Sequence, residues 1–379
     1  MIFLAAAPLL IWIYLFFFRG GYWRVARHLR SSRTLADRTA RVVAIVPARN
    51  EAEVIARSIS SLLRQSHPVT VILVDDNSDD GTAEAARTAA ANLGLLDRLT
   101  ILAGKQLQPG WSGKLWALSQ GVEFAEALGP DYLLFTDADV EHDPTNIQEL
   151  LQVAESGPFD LSSLMVQLEC RTLPEKTLIP AFVYFFFQLY PPAWIKSPNH
   201  ATAGAAGGCI LLRPEALARS GGLKAIRNTV IDDCALAAQV KRSGRKVWLG
   251  LTRSASSMRS YGSFEELMNM IARTAFHQLR HSVVLLAVTT AGLIVTYILP
   301  PVLTFSTSGP SRLFGVTSWT LMAGTFLPMV RFYKRSRFWA LTLPGVAIIY
   351  GAATVLSALR YWRGRGGTWK GRVQDVRSY

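Results

Sequence analysis

The chain has 379 residues, half of them hydrophobic, and its 40 Lys and Arg against 27 Asp and Glu give a formal net charge of +13. That length holds one large domain or two smaller ones, and so apolar a composition argues against an ordinary soluble enzyme. The excess basic charge does not form a nucleic-acid face, because it clusters beside apolar runs as RGGYWRVARHLRSSR, RFYKRSR and RYWRGRGGTWKGR, the pattern of cytoplasmic flanks of membrane segments.

Residues 2–18, IFLAAAPLLIWIYLFFF, carry no charge and are just long enough to span a bilayer. The basic residues follow the run instead of preceding it, and it ends in three Phe, which disfavours a cleaved signal peptide. The expectation is an N-terminal transmembrane anchor over 1–20, then a basic cytoplasmic linker over 21–41. From residue 42 the runs RVVAIVPA, TVILVDD, DRLTILAG and DYLLFTDAD alternate with helical stretches such as EAEVIARSISSLLRQ and DGTAEAARTAAANLG. Strand–helix alternation of this kind predicts an α/β domain on a mainly parallel sheet, whose ligands bind beyond the C-terminal strand ends. Cys170, Cys209 and Cys234 offer neither a disulfide framework nor paired metal-ligand spacing, and fit a reducing compartment.

The candidate site residues come in order. Glu51, in VVAIVPARNEA, is either a first-turn acid complementing a helix dipole or a nucleoside contact. In VILVDDNSDDGT, Asp79, Asp80 and Thr82 have helix-capping explanations. Asp75 and Asp76 lie too early for capping, and a carboxylate at a strand exit can accept a nucleobase N–H or ribose hydroxyls. Lys114, flanked by glycine at a helix start in GWSGKLWAL, is placed to meet a phosphate. YLLFTDADVEHDP runs an apolar strand into Asp137 and Asp139; residues two apart on a strand share a side, so both can face one ligand. Oxygen-only ligands suit Mg2+ or Mn2+, and a capping turn before Pro144 is the plain alternative. LIPAFVYFFFQLYPPAW, residues 178–194, is apolar but broken by prolines; a membrane-surface helix is expected, with a buried core helix as the alternative. Asp232 and Asp233 in TVIDDCALAAQV stand at a helix start, where they either cap it or supply a base to an acceptor hydroxyl. His277 and His281 are spaced as a metal pair but have no third ligand beside them in sequence. From 283 to 360 the chain is apolar again, a C-terminal transmembrane region before the basic tail 361–379.

Taken in order, PARNE, VDDNSDDGT, GKLWAL, TDADV, GGCILLRPEAL and IDDCALA resemble the inverting family 2 glycosyltransferases of GT-A fold, over about 42–282. The stretches PEKTLIPAFVYFFFQLYPP, AGAAGGCILLR, VWLGL and WKGR are similar to the hopanoid-biosynthesis-associated subgroup. The resemblance implies a nucleotide-diphospho-sugar-binding fold with Pro47, Ala48, Glu51 and Asp76 around the nucleoside. It implies that Asp137 and Asp139 form a DxD pair, with Asp139 the direct ligand of Mg2+ or Mn2+ and Asp137 nearer the ribose. It makes Asp233 the catalytic base, puts Asp232 in the preceding acid position, and gives Gly207 and Gly208 a close backbone approach to substrate. HQLRH departs from the family's Gln/Arg-x-x-Arg-Trp motif and keeps only Arg280, which is left to neutralise the leaving group.

The expected activity is metal-assisted transfer, with inversion, from a nucleotide-diphosphate sugar (a UDP-sugar) to a lipid entering from the cytoplasmic leaflet. The enzyme would be a multi-pass cell-membrane protein with its catalytic domain in the cytoplasm. The rivals are a processive polysaccharide synthase, a sugar nucleotidyltransferase and a catalytically silent nucleotide-binding scaffold.

Overall fold

A computed structural model describes residues 2–24, 40–363, 368–369 and 372–373. Residues 25–39 of the expected 21–41 linker and most of the tail, including the Lys370 and Gly371 of WKGR, lie outside the described residues. The chain divides into two compact units.

One unit comprises residues 26–169, 194–259 and 368–379. Among its described residues eight strands form one sheet: β1 (Val42–Ala48), β2 (Val69–Asp75), β3 (Leu99–Ala103), β4 (Tyr132–Thr136), β5 (Val140–His142), β6 (Leu161–Gln167), β7 (Cys209–Leu212) and β8 (Val247–Ser257). They lie in the order β3-β2-β1-β4-β7-β6-β8-β5. The first four run parallel; β7 enters antiparallel to β4, and β5 is antiparallel to β8. Every residue of β1 is buried, as a strand covered on both faces requires. On one face Val42, Ala44 and Val46 pack with Ile55, Ile59 and Leu62 of the helix Ala52–Leu63. On the other, the helix Gly113–Glu126 comes close enough that a Cβ at Gly121 would meet Ile45 Cγ2 at 2.3 Å.

Topology gathers the chemistry at one edge. The parallel strands end at Ala48, Asp75 and Thr136, each followed by acids or a turn. Because β7 is antiparallel, its start is paired with the end of β4, Thr136 opposite Cys209, which brings Gly207 and Gly208 to the same edge. The pairing of Val140 with Ser257 brings the end of β8 beside Asp139.

The second unit comprises residues 1–25, 170–193 and 260–367. Four helical segments touching it are long and apolar enough to cross a membrane: Leu173–Lys196, Val283–Ser306, Gly309–Phe332 and Arg337–Trp362. The N-terminal helix Ile2–Phe17 is apolar but shorter. The helix Leu173–Leu189 carries much of the 178–194 stretch, and Leu178, Ile179, Ala181, Val183 and Tyr184 on it are buried. Tyr184 shares hydroxyl hydrogen bonds with Tyr22 (2.9 Å) and Thr325 (2.8 Å), and Tyr350 donates to the Leu178 carbonyl at 3.0 Å. This segment therefore packs inside the apolar unit, and the α/β unit is interrupted by it instead of running unbroken from 42 to 282.

Candidate active site

β4 stops at Thr136, and Asp137 to Asp139 form a tight turn closed by Val140 N–H donating to the Asp137 carbonyl at 3.2 Å. The two acids are therefore brought together by a turn and not by strand alternation, which corrects the reason given for their pairing. Each has its own cation. Lys114 Nζ lies 2.6 Å from Asp137 Oδ1, and Arg259 Nε lies 3.3 Å from Asp139 Oδ2. Met258 N–H donates to the Asp139 carbonyl at 2.7 Å and Ser257 Oγ reaches Asp139 Oδ2 at 3.4 Å, so the end of β8 holds this residue in place. Burial, then the nearby Asp137, raises the Asp139 carboxyl above its ordinary range, with Arg259 opposing.

Lys114 sits in the first turn of its helix, which Ser112 caps by accepting from Leu115 N–H at 3.4 Å. Its ammonium also approaches Asp232 Oδ2 at 3.7 Å. Burial alone would lower its pKa; Asp137, then Asp232 and Asp233, outweigh that and raise it, so the group is a fixed positive charge.

Asp232 and Asp233 open the helix Asp232–Arg242. Asp233 Oδ1 accepts from Cys234 N–H at 2.7 Å and Oδ2 from Gly207 N–H at 2.8 Å. Burial and the adjacent Asp232 push the Asp233 carboxyl up to about 6, against the pull of Lys114. A Cβ at Gly207 would stand 3.3 Å from Lys114 Nζ and 3.4 Å from Asp233 Oδ2, so this contact leaves little room for a side chain. Pro47, Lys114, Asp137, Gly207, Asp232 and Asp233 line one cleft. A carboxylate fixed by two N–H donors keeps a further lone pair on each oxygen, the arrangement a general base needs.

The nucleoside-side candidates lie along the ends of β1 and β2. Asp76 is 2% exposed; its N–H donates to the Ala48 carbonyl at 2.8 Å, and Arg49 Nη1 lies 2.7 Å from its carbonyl and 3.7 Å from its Oδ2. Asp75 takes the N–H and hydroxyl of Ser78. Asp80 joins two helix starts, accepting from Ala52 N–H at 2.9 Å and from Thr82 N–H at 3.0 Å, while Gly81 holds the N-cap position of the helix Thr82–Asn92 without a side-chain cap. Glu51 holds the N-cap position of its helix without a side-chain cap bond, and its carboxylate lies 3.5 Å from Arg259 Nη2. Gly208 is not among the residues lining the cleft; Val166 Cγ2 lies 3.1 Å from where its Cβ would stand. Arg280 belongs to the other unit, past the end of the helix Phe264–Gln278, at φ 50°. His277 and His281 there make ring contacts, 4.3 Å apart, with His281 stacked on Tyr361 at 4.1 Å.

Among the described residues no group of three or more His, Cys, Asp or Glu is arranged to hold a metal. The Asp137–Asp139 turn offers two hard oxygen donors in a cluster where Glu51, Asp137, Asp139, Asp232 and Asp233 outnumber Lys114 and Arg259. Such a donor set fits Mg2+ or Mn2+, which commonly take one or two carboxylates and complete their shell with water and phosphate oxygens. Sequence reasoning missed Arg259, because no motif surrounds it and only the β5–β8 pairing brings it to Asp139. It also missed Thr136, Ser163 and His142, whose polar side chains read as ordinary strand residues.

Residues 43–221 match the family model described as glycosyl transferase family 2. The 4,4'-diaponeurosporenoate glycosyltransferase of Staphylococcus aureus (strain USA300) is 36% identical over 114 residues, 30% of this chain and 28% of that protein. The match thus spans under a third of that relative's length. The mannosyltransferase PcManGT from Pyrobaculum calidifontis, solved with GDP-Man and Mn2+, aligns with 95% of this chain and 99% of its own, at TM-score 0.55 and 18% identity. At that identity the likeness is one of fold, a mixed α/β GT-A-like architecture.

Proposed function

We propose, from the match of residues 43–221 to the glycosyl transferase family 2 model, that the chain transfers a sugar, with inversion, from a nucleotide-diphosphate donor to a hydroxyl of a lipid. The observation that carries this reading is the convergence of Lys114, Asp137, Gly207, Asp232 and Asp233 on one cleft at the ends of parallel strands. Asp76 and Glu51, with Pro47 and Ala48 beneath, form the nucleoside side. Asp233 takes the proton of the acceptor hydroxyl, which attacks the anomeric carbon in line. Lys114 supplies positive charge where the leaving diphosphate gains negative charge. A divalent cation held by Asp139 and Asp137 would neutralise the diphosphate when bound.

A lipid acceptor is supported by the four candidate spans and by the name of the Staphylococcus aureus relative, which glycosylates a carotenoid acid. The similarity of several stretches to hopanoid-associated transferases points to a polycyclic acceptor. In this reading the enzyme is multi-pass and works from the cytoplasmic face.

The test uses membranes containing the full chain, labelled UDP-glucose, UDP-N-acetylglucosamine and GDP-mannose in turn, and a lipid extract. Label should enter the lipid phase, stop with EDTA and resume with Mn2+. Label in a water-soluble polymer would favour a processive synthase, and consumption of nucleoside triphosphate with sugar phosphate a nucleotidyltransferase. Donor binding without release of nucleotide would mark a silent scaffold.

A further inference from the structure

The turn Ala206–Gly208, which donates the hydrogen bond from Gly207 to Asp233, is gripped from below by hydroxyls on two strands. Ser163, on β6, accepts from Ala206 N–H at 2.8 Å and donates to the Ala206 carbonyl at 3.1 Å. Thr136, the last residue of β4, donates to the Gly208 carbonyl at 2.8 Å. That leaves its oxygen to accept, and His142 Nε2 lies 3.0 Å away. His142 Nδ1 in turn lies 3.0 Å from Asn146 Nδ2, a group that can only donate.

With the Asn146 amide nitrogen facing the ring, the protons along this chain run in one order. Asn146 donates to His142 Nδ1, His142 Nε2–H donates to Thr136, and the Thr136 hydroxyl donates to Gly208. It requires a neutral imidazole, and burial does lower the His142 pKa, to about 4. Ser163, Thr136, His142 and Asn146 are between 0 and 3% exposed. Polar groups this deep cost stability unless bonded; Asn146 Oδ1 is left without a partner, and the other bonds end on the segment whose Gly207 N–H donates to Asp233.

We infer that Ser163 and Thr136, the latter backed by His142, are positioning residues for the transfer reaction: they fix the Ala206–Gly208 turn so that Gly207 N–H holds Asp233 in its reactive orientation. The inference rests on Asp233 being the base. Ser163, His142 and Asn146 lie outside the lining of the cleft, and Thr136 lines it with a hydroxyl committed to Gly208 and His142, so their loss should slow the chemical step far more than it weakens nucleotide binding.

The experiment compares full-length wild type, Thr136→Val, Thr136→Ser and Ser163→Ala in detergent. Amide hydrogen exchange over residues 203–212 should speed up about tenfold in Thr136→Val and Ser163→Ala and stay near wild type in Thr136→Ser. Turnover of the best donor among UDP-glucose, UDP-N-acetylglucosamine and GDP-mannose should fall about tenfold or more in the first two variants, because small misplacements of a catalytic group are costly. UDP and GDP affinity with Mn2+ should stay within about twofold of wild type, and Thr136→Ser should recover most of the rate. Wild-type exchange rates in Thr136→Val, a Thr136→Ser as slow as Thr136→Val, or rate and nucleotide affinity falling together would each overturn the clamp. If wild type turns over no donor, the transferase reading fails, and the exchange measurement alone decides whether the hydroxyls hold the turn.

Discussion

Asp139 already has a cation. Arg259 lies against it at 3.3 Å while Glu51 faces the same guanidinium at 3.5 Å, so a divalent ion that takes Asp139 has to displace a partner supplied by the chain. Arg259 is 40% exposed in its side chain, which keeps the ion pair modest. Arg259→Gln is therefore expected to tighten Mn2+ binding in the absence of nucleotide by roughly fivefold, read from free Mn2+ by electron paramagnetic resonance. Unchanged or weaker binding would mean that Arg259 is no competitor for the metal. The acids of this site were legible in the sequence because carboxylates at strand exits stand out against apolar runs. The cations were only half legible: Lys114 lies in a recognisable Gly-flanked start, whereas Arg259 is brought in by a strand pairing more than a hundred residues apart in sequence. The common-side argument for Asp137 and Asp139 failed in its mechanism because β4 ends at Thr136, before either acid.

Among the elements, the helix Gly113–Glu126 matters most to the site, since it carries Lys114 and lies on β1 and β2. Gly121 is its point of closest approach: an added Cβ would meet Ile45 Cγ2 at 2.3 Å and Val74 Cγ2 at 3.2 Å. An alanine in an ordinary helix interior stabilises by about 1 kcal/mol relative to glycine. Here overpacking should reverse the sign, costing about 1–3 kcal/mol and pushing the helix off the sheet. Gly121→Ala is expected to lower Tm and weaken UDP–Mn2+ binding together; a raised Tm would contradict the packing. The alternation of strands and helices was readable because each parallel strand is a short buried run with turn residues after it. The apolar segment 178–194 was harder. A helix that is apolar all round does not say whether lipid or protein covers it, and in the structure Tyr22, Thr325 and Tyr350 of its own unit cover much of it.

For the whole molecule, the chain joins the apolar unit three times, through residues 1–25, 170–193 and 260–367, and the α/β unit is assembled from what lies between. Such threading is invisible to a reading that takes contiguous stretches as domains, which is why the sequence suggested one domain from 42 to 282. What composition did convey is the pairing of basic clusters with apolar runs, the setting of the membrane enzyme proposed above. The account of that enzyme stands on Asp233. Burial and Asp232 raise its pKa to about 6, so the ionised base exists only above that pH, and the transfer rate should fall as pH drops through about 6. The linkage has the opposite sign. A carboxyl whose folded pKa is raised above its ordinary 3.8 lends stability below that value and loses it as pH rises through about 6, so ionised Asp233 burdens the fold at neutral pH. The deciding measurement is single-turnover transfer of labelled sugar into lipid by purified full-length wild type and Asp233→Asn, from pH 5 to 8, with Tm recorded alongside. The prediction is a loss of about a thousandfold or more at pH 8, with Asp233→Asn melting no lower than wild type. Near-normal transfer by the folded variant would remove Asp233 as the base and the mechanism with it.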